Sequence, residues 1–204
     1  MVDKNAVKVL SFLKHFKICF MRFLHLHLFT FSMLFWVTET QGQNLATPPE
    51  GRSLVYFIRS SGTGAVVNFK YFDGEKFLGK FSGKNYFIYD CDPGEHVFWV
   101  ASENRDFIEA DLLPGKVYLI EARPTVGAFK AAVKLFPLAN DDPKSRKRLF
   151  KIISQMDPIR LDEKDLMAEQ QKLQFYIQNG MKKYRADKQK GKTLAQLPAT
   201  YYYN

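Results

Sequence analysis

The chain is expected to be mainly β: an antiparallel β-sandwich of about seven to eight strands with a C-terminal α-helical extension. Three observations predict it. Between residues 51 and 138, short runs rich in β-branched and aromatic residues recur about every ten residues, the spacing of sandwich and barrel strands. Turn signals separate these runs: Asp73-Gly74, Gly83, Asp92-Pro93-Gly94-Glu95 and Leu113-Pro114-Gly115-Lys116. The 204 residues include 19 Phe, 10 Tyr and 2 Trp, enough aromatic bulk to close the core of a small domain.

In order, the predicted strands cover residues 53–59, 65–72, 75–80, 84–89, 95–102, 106–112, 117–122 and 129–136. The first alternates Val55 and Phe57 with Leu54, Tyr56 and Ile58, and so is apolar on both faces. Residues 95–102 (EHVFWVAS) set Val97 and Trp99 against Phe98 and Val100, again apolar on both faces, which places this strand centrally. Asp73-Gly74 is the pair favoured in a two-residue hairpin, where positive φ is required. In each Pro-Gly turn, Pro sets φ at the second position and Gly accepts positive φ at the third.

Four segments follow from these patterns: an upstream extension plus signal peptide (1–42), a linker (43–50), the sandwich (51–138), and a basic helical extension and tail (139–204). Residues 23–37 (FLHLHLFTFSMLFWV) form an apolar run behind Lys14, Lys17 and Arg22, with Thr40 and Gly42 at −3 and −1 of a cut after Gly42. The run suits a signal peptide and is shorter than the roughly 20 residues of a membrane span. The expected location is therefore exported, periplasmic or envelope-associated; an uncleaved signal anchor is the alternative. Met21-Arg22 offers a second start besides Met1.

Charge is unevenly distributed. The net charge is +9, yet residues 51–138 hold 11 Lys+Arg against 10 Asp+Glu, while residues 139–204 hold 14 against 8. A helix is expected from Asp141-Asp142-Pro143, with Leu149, Ile152, Ile153 and Met156 on one face, ending before Asp157-Pro158. A second, residues 162–188, places Leu166, Leu173, Ile177 and Tyr184 in a stripe with Phe175 and Met181 at its flanks. This helix can pack on the sandwich, associate with a partner or lie on an anionic membrane. The cluster Lys182, Lys183, Arg185, Lys188, Lys190 and Lys192 marks it as the candidate partner contact, for an envelope protein, anionic lipid or an acidic polymer. Tyr201, Tyr202 and Tyr203 read as a flexible or loosely docked tail.

Chemistry-bearing patterns are sparse. Cys19 and Cys91 share no metal or redox spacing, and Cys91 reads as a small packed residue. Three of the four histidines precede the linker, and His96 lacks evident ligating companions. The Ser60–Gly64 region has neither a nucleophile elbow nor a phosphate loop. No catalytic, metal or cofactor residue is assigned, no enzymatic activity is expected, and basic residues do not interleave with aromatics as an RNA-reading sheet requires. A glycan- or peptide-binding module using the 60–64 and 105–106 loops is the alternative function, and it requires exposed aromatics there.

The runs LVYFIR (54–59), FKYFDGEKFLGK (69–80), NYF (85–87) and DPGEHVFWV (92–100) resemble the bacterial domain of unknown function 2846 over about residues 51–138. Asp73-Gly74, Gly79, Tyr86 and Pro93-Gly94-Glu95-His96 carry the resemblance, and PEGA-type sandwich modules share its turn grammar. The resemblance implies a small exported sandwich and no catalytic residues. The long helical C-terminus departs from its simplest members.

Overall fold

The computed structural model describes residues 45–64, 66–126 and 131–203. Among these, ten strands and two helices follow in chain order: β1 (Ser53–Arg59), β2 (Phe69–Asp73), β3 (Lys76–Phe81), β4 (Asn85–Cys91), β5 (Gly94–Ala101), β6 (Arg105–Leu112), β7 (Val117–Val126), β8 (Ala131–Pro137), α1 (Pro143–Gln155), α2 (Glu163–Gln189), β9 (Ala195–Leu197) and β10 (Tyr202–Tyr203). The segment read as an export signal lies outside the described residues, as does the start of the eighth expected strand. No described helix is long and apolar enough to cross a membrane.

The fold is a mainly-β sandwich. One sheet runs β10-β7-β1-β4, with β8 also paired to β7; the other runs β3-β2-β5-β6-β9. Pairing is antiparallel except for β1 with β7 and β6 with β9, which are parallel. The doubly apolar strands β1 and β5 are interior, as their sequences require. Gly94 and Gly115 take φ of +109° and +70°, the conformation expected in the third position of each Pro-Gly turn. The β2–β3 hairpin differs by one residue from expectation. Asp73 pairs with Lys76, so the loop is Gly74-Glu75, and only Gly74 has positive φ, at +52°.

The expected alternation generates three cores instead of one. Val55, Phe57, Tyr71, Phe87, Phe98 and Tyr118 fill the space between the sheets. Leu54, Tyr56, Ile58 and Leu119 face outward from the first sheet, where Leu149, Phe150 and Ile152 of α1 cover them. Phe72, Trp99 and Phe107 face outward from the second sheet beneath Ile177 and Met181 of α2. The layers are therefore helix, sheet, sheet, helix. Asp142 caps α1 by accepting from the Ser145 N–H, and Asp162 caps α2 from Lys164 and Asp165.

Gly180 permits the α2 contact. A Cβ at this position would lie 2.5 Å from Cη2 of Trp99, far inside van der Waals contact. Glycine in a helix interior costs about 1 kcal/mol relative to alanine; here it lets the helix backbone rest on the indole. Trp99 also donates from Nε1 to the Gly74 carbonyl at 2.8 Å, which satisfies its one polar atom.

Elements after Leu138 also close the sheet edges, where unpaired backbone groups would otherwise invite aggregation. Ile159, in the α1–α2 connection, donates its N–H to Tyr86 O of β4 at 2.8 Å. Leu161 occupies the space above Gly79 of β3. Gln170 of α2 accepts from Phe77 N–H at 2.6 Å and donates to Glu75 O at 2.9 Å. On the opposite side β9 pairs with β6 and β10 with β7. The side chains of Asn104 and Asp106 take up the Val133 and Leu135 N–H groups of β8 at 2.7 Å each. Tyr202 and Tyr203 are therefore strand residues, and Tyr203 is buried with its hydroxyl on Ala139 O. The expectation of a loose tail is corrected: a tyrosine supplies both a strand backbone and a ring, and Phe150 offers that ring an edge-on aromatic neighbour at 5.6 Å.

Candidate interaction surface

Trp99 and Gly180 fix which side of α2 is turned inward, and hence which side meets solvent. Ile177, Gly180 and Met181 are buried; Leu166, Leu173, Tyr176 and Tyr184 are partly buried. Met181, expected at the flank of the stripe, is core, whereas Phe175 is 75% exposed and Met167 66%. At 100° per residue, Lys164, Met167, Gln171, Phe175, Gln178, Lys182, Arg185 and Gln189 fall on the opposite face, and all are exposed.

The six cations singled out in the sequence divide into two sets. Lys183 and Lys192 both reach Asp187, each at 3.0 Å, and Lys188 reaches Glu109 at 2.5 Å. Glu109 also accepts from Tyr184 at 2.6 Å and Gln196 at 2.8 Å. Hydrogen bonds from Lys188, Tyr184 and Gln196, in that order, hold its carboxyl down at about 2. These three lysines fasten the end of α2 and the following turn to the molecule. Lys182 and Arg185 project from the solvent face, and Lys190 caps the helix end. The sequence reading left out Lys164, Lys172 and Met167, and it set Phe175 at the flank of the stripe when it lies opposite. Their signal was the 3.6-residue period, which sets Phe175 half a turn from the stripe of Leu166, Leu173, Ile177 and Tyr184.

The carboxylates of α2 sort the other way. Glu163 and Asp165 sit in its first turn, favourable at a helix N-terminus. Glu169 pairs with Lys80 of β3 at 2.8 Å, and Asp187 is occupied as described. Beyond the first turn, no acidic side chain of α2 belongs to the solvent face.

Polar side chains also cluster around His96, Glu121 and Arg59. His96 stacks on Phe98 and bridges two acceptors. Its Nε2 lies 2.8 Å from the Asp92 carbonyl oxygen, which can only accept, and its Nδ1 lies 2.8 Å from Asp73 Oδ2. In the protonated ring both nitrogens donate to these acceptors, which leaves no free lone pair for proton abstraction. The hydrogen bond that His96 donates to Asp73 raises its pKa despite the opposing effect of burial. The neighbouring Cys91 is buried, and burial pushes its thiol up to about 12, the reverse of an activated nucleophile.

A raised folded-state pKa contributes stability that is complete below the unfolded value of about 6.5 and lost as pH climbs through the folded value. Wild-type melting temperature should therefore fall more steeply than that of His96→Gln as pH rises above about 6.5. Thermal unfolding followed by circular dichroism reads this directly, and parallel slopes would refute the raised pKa of His96.

Glu121, almost fully buried on the outward face of β7, accepts from Ser60, from Arg123 Nε at 2.7 Å and from Arg148 at 2.7 Å. Burial acts to raise its pKa, but these hydrogen bonds outweigh it and the net shift is downward. The cluster ties α1 to the first sheet. Arg59 is fully buried at the end of β1, over the Phe69 ring, and donates to the carbonyls of Thr63, Gly64 and Val67. The 60–64 loop is thus wrapped around a guanidinium. Arg105 lies over Tyr176 at 4.3 Å. Among the described residues, neither the 60–64 loop nor the 105–106 corner carries an exposed aromatic.

Two clefts open on the surface. One, about 480 Å³, runs beside the α1–α2 connection between Leu78, Ile88, Tyr89 and Ile159. The other, about 660 Å³, lies beyond the end of α2 between Glu95, Asp111, Glu109 and Pro198. Among the described residues no group of His, Cys, Asp and Glu is arranged to hold a metal ion.

No family model and no curated protein matches this chain. Among solved structures, it is similar to an NMR structure of a protein from Eubacterium rectale. That likeness has 10% identity and a TM-score of 0.31, and covers 45% of this chain and 93% of that one.

Proposed function

We propose that this protein is an exported, non-enzymatic interaction module of the cell envelope, and that the solvent face of α2 is its contact element. The observation that carries this reading is the segregation of charge on α2. Cations and two apolar side chains face solvent, while the carboxylates beyond the first turn are spent on internal ion pairs. A helix whose only task was to cover Trp99 would gain from acidic residues spaced among its exposed lysines, both through local ion pairs and through solubility. The apolar run at residues 23–37 and the resemblance to the domain of unknown function 2846 support export. The buried thiol of Cys91 and the doubly hydrogen-bonded ring of His96 favour a structural over a catalytic reading of the cluster that, among the described residues, brings Cys, His and Asp together.

The test is fractionation of cells producing the full chain or its Lys182→Glu/Arg185→Glu variant. Both substituted side chains are exposed, so the fold should be unchanged by circular dichroism. Envelope-associated protein should fall markedly in the variant. Equal distribution of the two proteins would remove the contact role.

A further inference from the structure

Resting on that reading, we infer that the partner of α2 is the anionic surface of a lipid bilayer, with Phe175 inserted among the headgroups and Met167 beside it. An acidic polymer would read the cations alone and has no use for an exposed phenyl ring. Phe175 and Met167 are the two most exposed large apolar side chains of α2, and they share one face with cations and without acidic side chains beyond the first turn. They lie two helical turns apart along the face that also carries Lys164, Lys182 and Arg185, with Lys172 at its margin.

This is the composition of a helix that lies in an interface plane: apolar groups at the centre, cations whose stems can reach sideways to phosphate, and neutral residues between them. Gln171, Gln174, Gln178 and Gln189 supply those neutral positions. The 27-residue helix is about 40 Å long, and its Gly180–Trp99 seat keeps it on the sandwich, so the face meets the bilayer preformed and without a folding cost. Glu163 and Asp165 sit at its N-terminal end, which tilts the contact. The segment from Lys172 to Lys192 has seven cations and one acid, Asp187, and sits nearest the headgroups.

The experiment uses the full chain with vesicles of zwitterionic phosphatidylcholine, alone or with about one third phosphatidylglycerol. Any vesicle affinity of residues 1–44 is common to all variants and cancels in the comparison. The emission of Phe175→Trp, taken as the difference from the parent chain with its Trp36 and Trp99, should be blue-shifted with the anionic vesicles and unshifted with the zwitterionic ones. Phe175→Ala should lower partitioning about tenfold, since burying a side chain of this size contributes a factor of ten or more. Lys182→Glu/Arg185→Glu should lower it by at least about tenfold, each charge near the surface being worth roughly a factor of five. If Phe175→Ala partitions as wild type and Phe175→Trp emits as in water, the bilayer assignment fails. If under those conditions the charge variant still loses envelope association in cells, the contact role of α2 survives with a different acidic partner. If the charge variant loses neither property, both fall.

Discussion

A chain ending at Leu138 should not fold. It retains the eight strands of the sandwich but exposes the outward faces of both sheets, including Tyr56 and Leu119 on one and Phe72, Trp99 and Phe107 on the other. Uncovering a large apolar side chain costs about 1.5–3 kcal/mol; five of them come to roughly 8–15 kcal/mol, the whole stability of an ordinary domain. Edge exposure adds to this. The β6 edge loses β9, the β7 edge loses β10, and the N–H of Phe77 loses Gln170. The expected result is a truncated protein recovered as aggregate, without a cooperative thermal transition. A soluble 45–138 fragment that melts cooperatively would show that the sandwich closes by itself.

Trp99→Ala should cost about 3–5 kcal/mol, the range for deleting a large buried aromatic. Trp99 is fully buried, stacks on Phe72 with centroids 3.8 Å apart, and donates to Gly74 O. The decisive comparison is with Gly180. In wild type, Gly180→Ala should destabilise by about 1–3 kcal/mol, because its Cβ meets a ring enclosed on the other side by the sheet. In a Trp99→Ala background the clash is gone and the helix propensity of alanine should make the same change neutral or stabilising by up to about 1 kcal/mol. Urea unfolding of the four proteins measures the cycle. An equal Gly180→Ala effect in both backgrounds would mean that the indole does not set the position of α2.

The sandwich was legible because strand pattern and turn chemistry agree. In residues 53–59 and 95–102 both faces are apolar, and Pro-Gly pairs at 93–94 and 114–115 mark the corners. Those same doubly apolar strands also carried the message that each sheet needs a second cover. A strand buried on both faces requires a layer on each side, and the only unassigned apolar side chains belonged to the helices. The helix starts were readable from Asp142-Pro143 and Asp162, whose caps form.

What could not be read was set by distant partners. Leu197 and Tyr203 belong to strands of three and two residues, too short for a periodic signal, and they are strands only because β6 and β7 have open edges. Which lysines remain free on α2 likewise depends on Glu109, on a strand that contacts Lys188 across 79 residues of sequence. The closeness of α2 to the sheet is set by Gly180, because the indole below it leaves no room for a Cβ.

The closing contacts are also far apart in time of synthesis. Gln170 reaches back 93 residues to Phe77, and Gln196 reaches back 87 to Glu109. At the usual elongation rate of about 5–20 residues per second, the second of these intervals lasts roughly 4–17 s. Throughout it the Trp99 face and the β6 edge exist without their covers. The long sequence separation of these contacts makes closure slow once the C-terminal portion has emerged. A chain that cannot finish its sandwich early stays incompletely folded for several seconds after its central strands have been made.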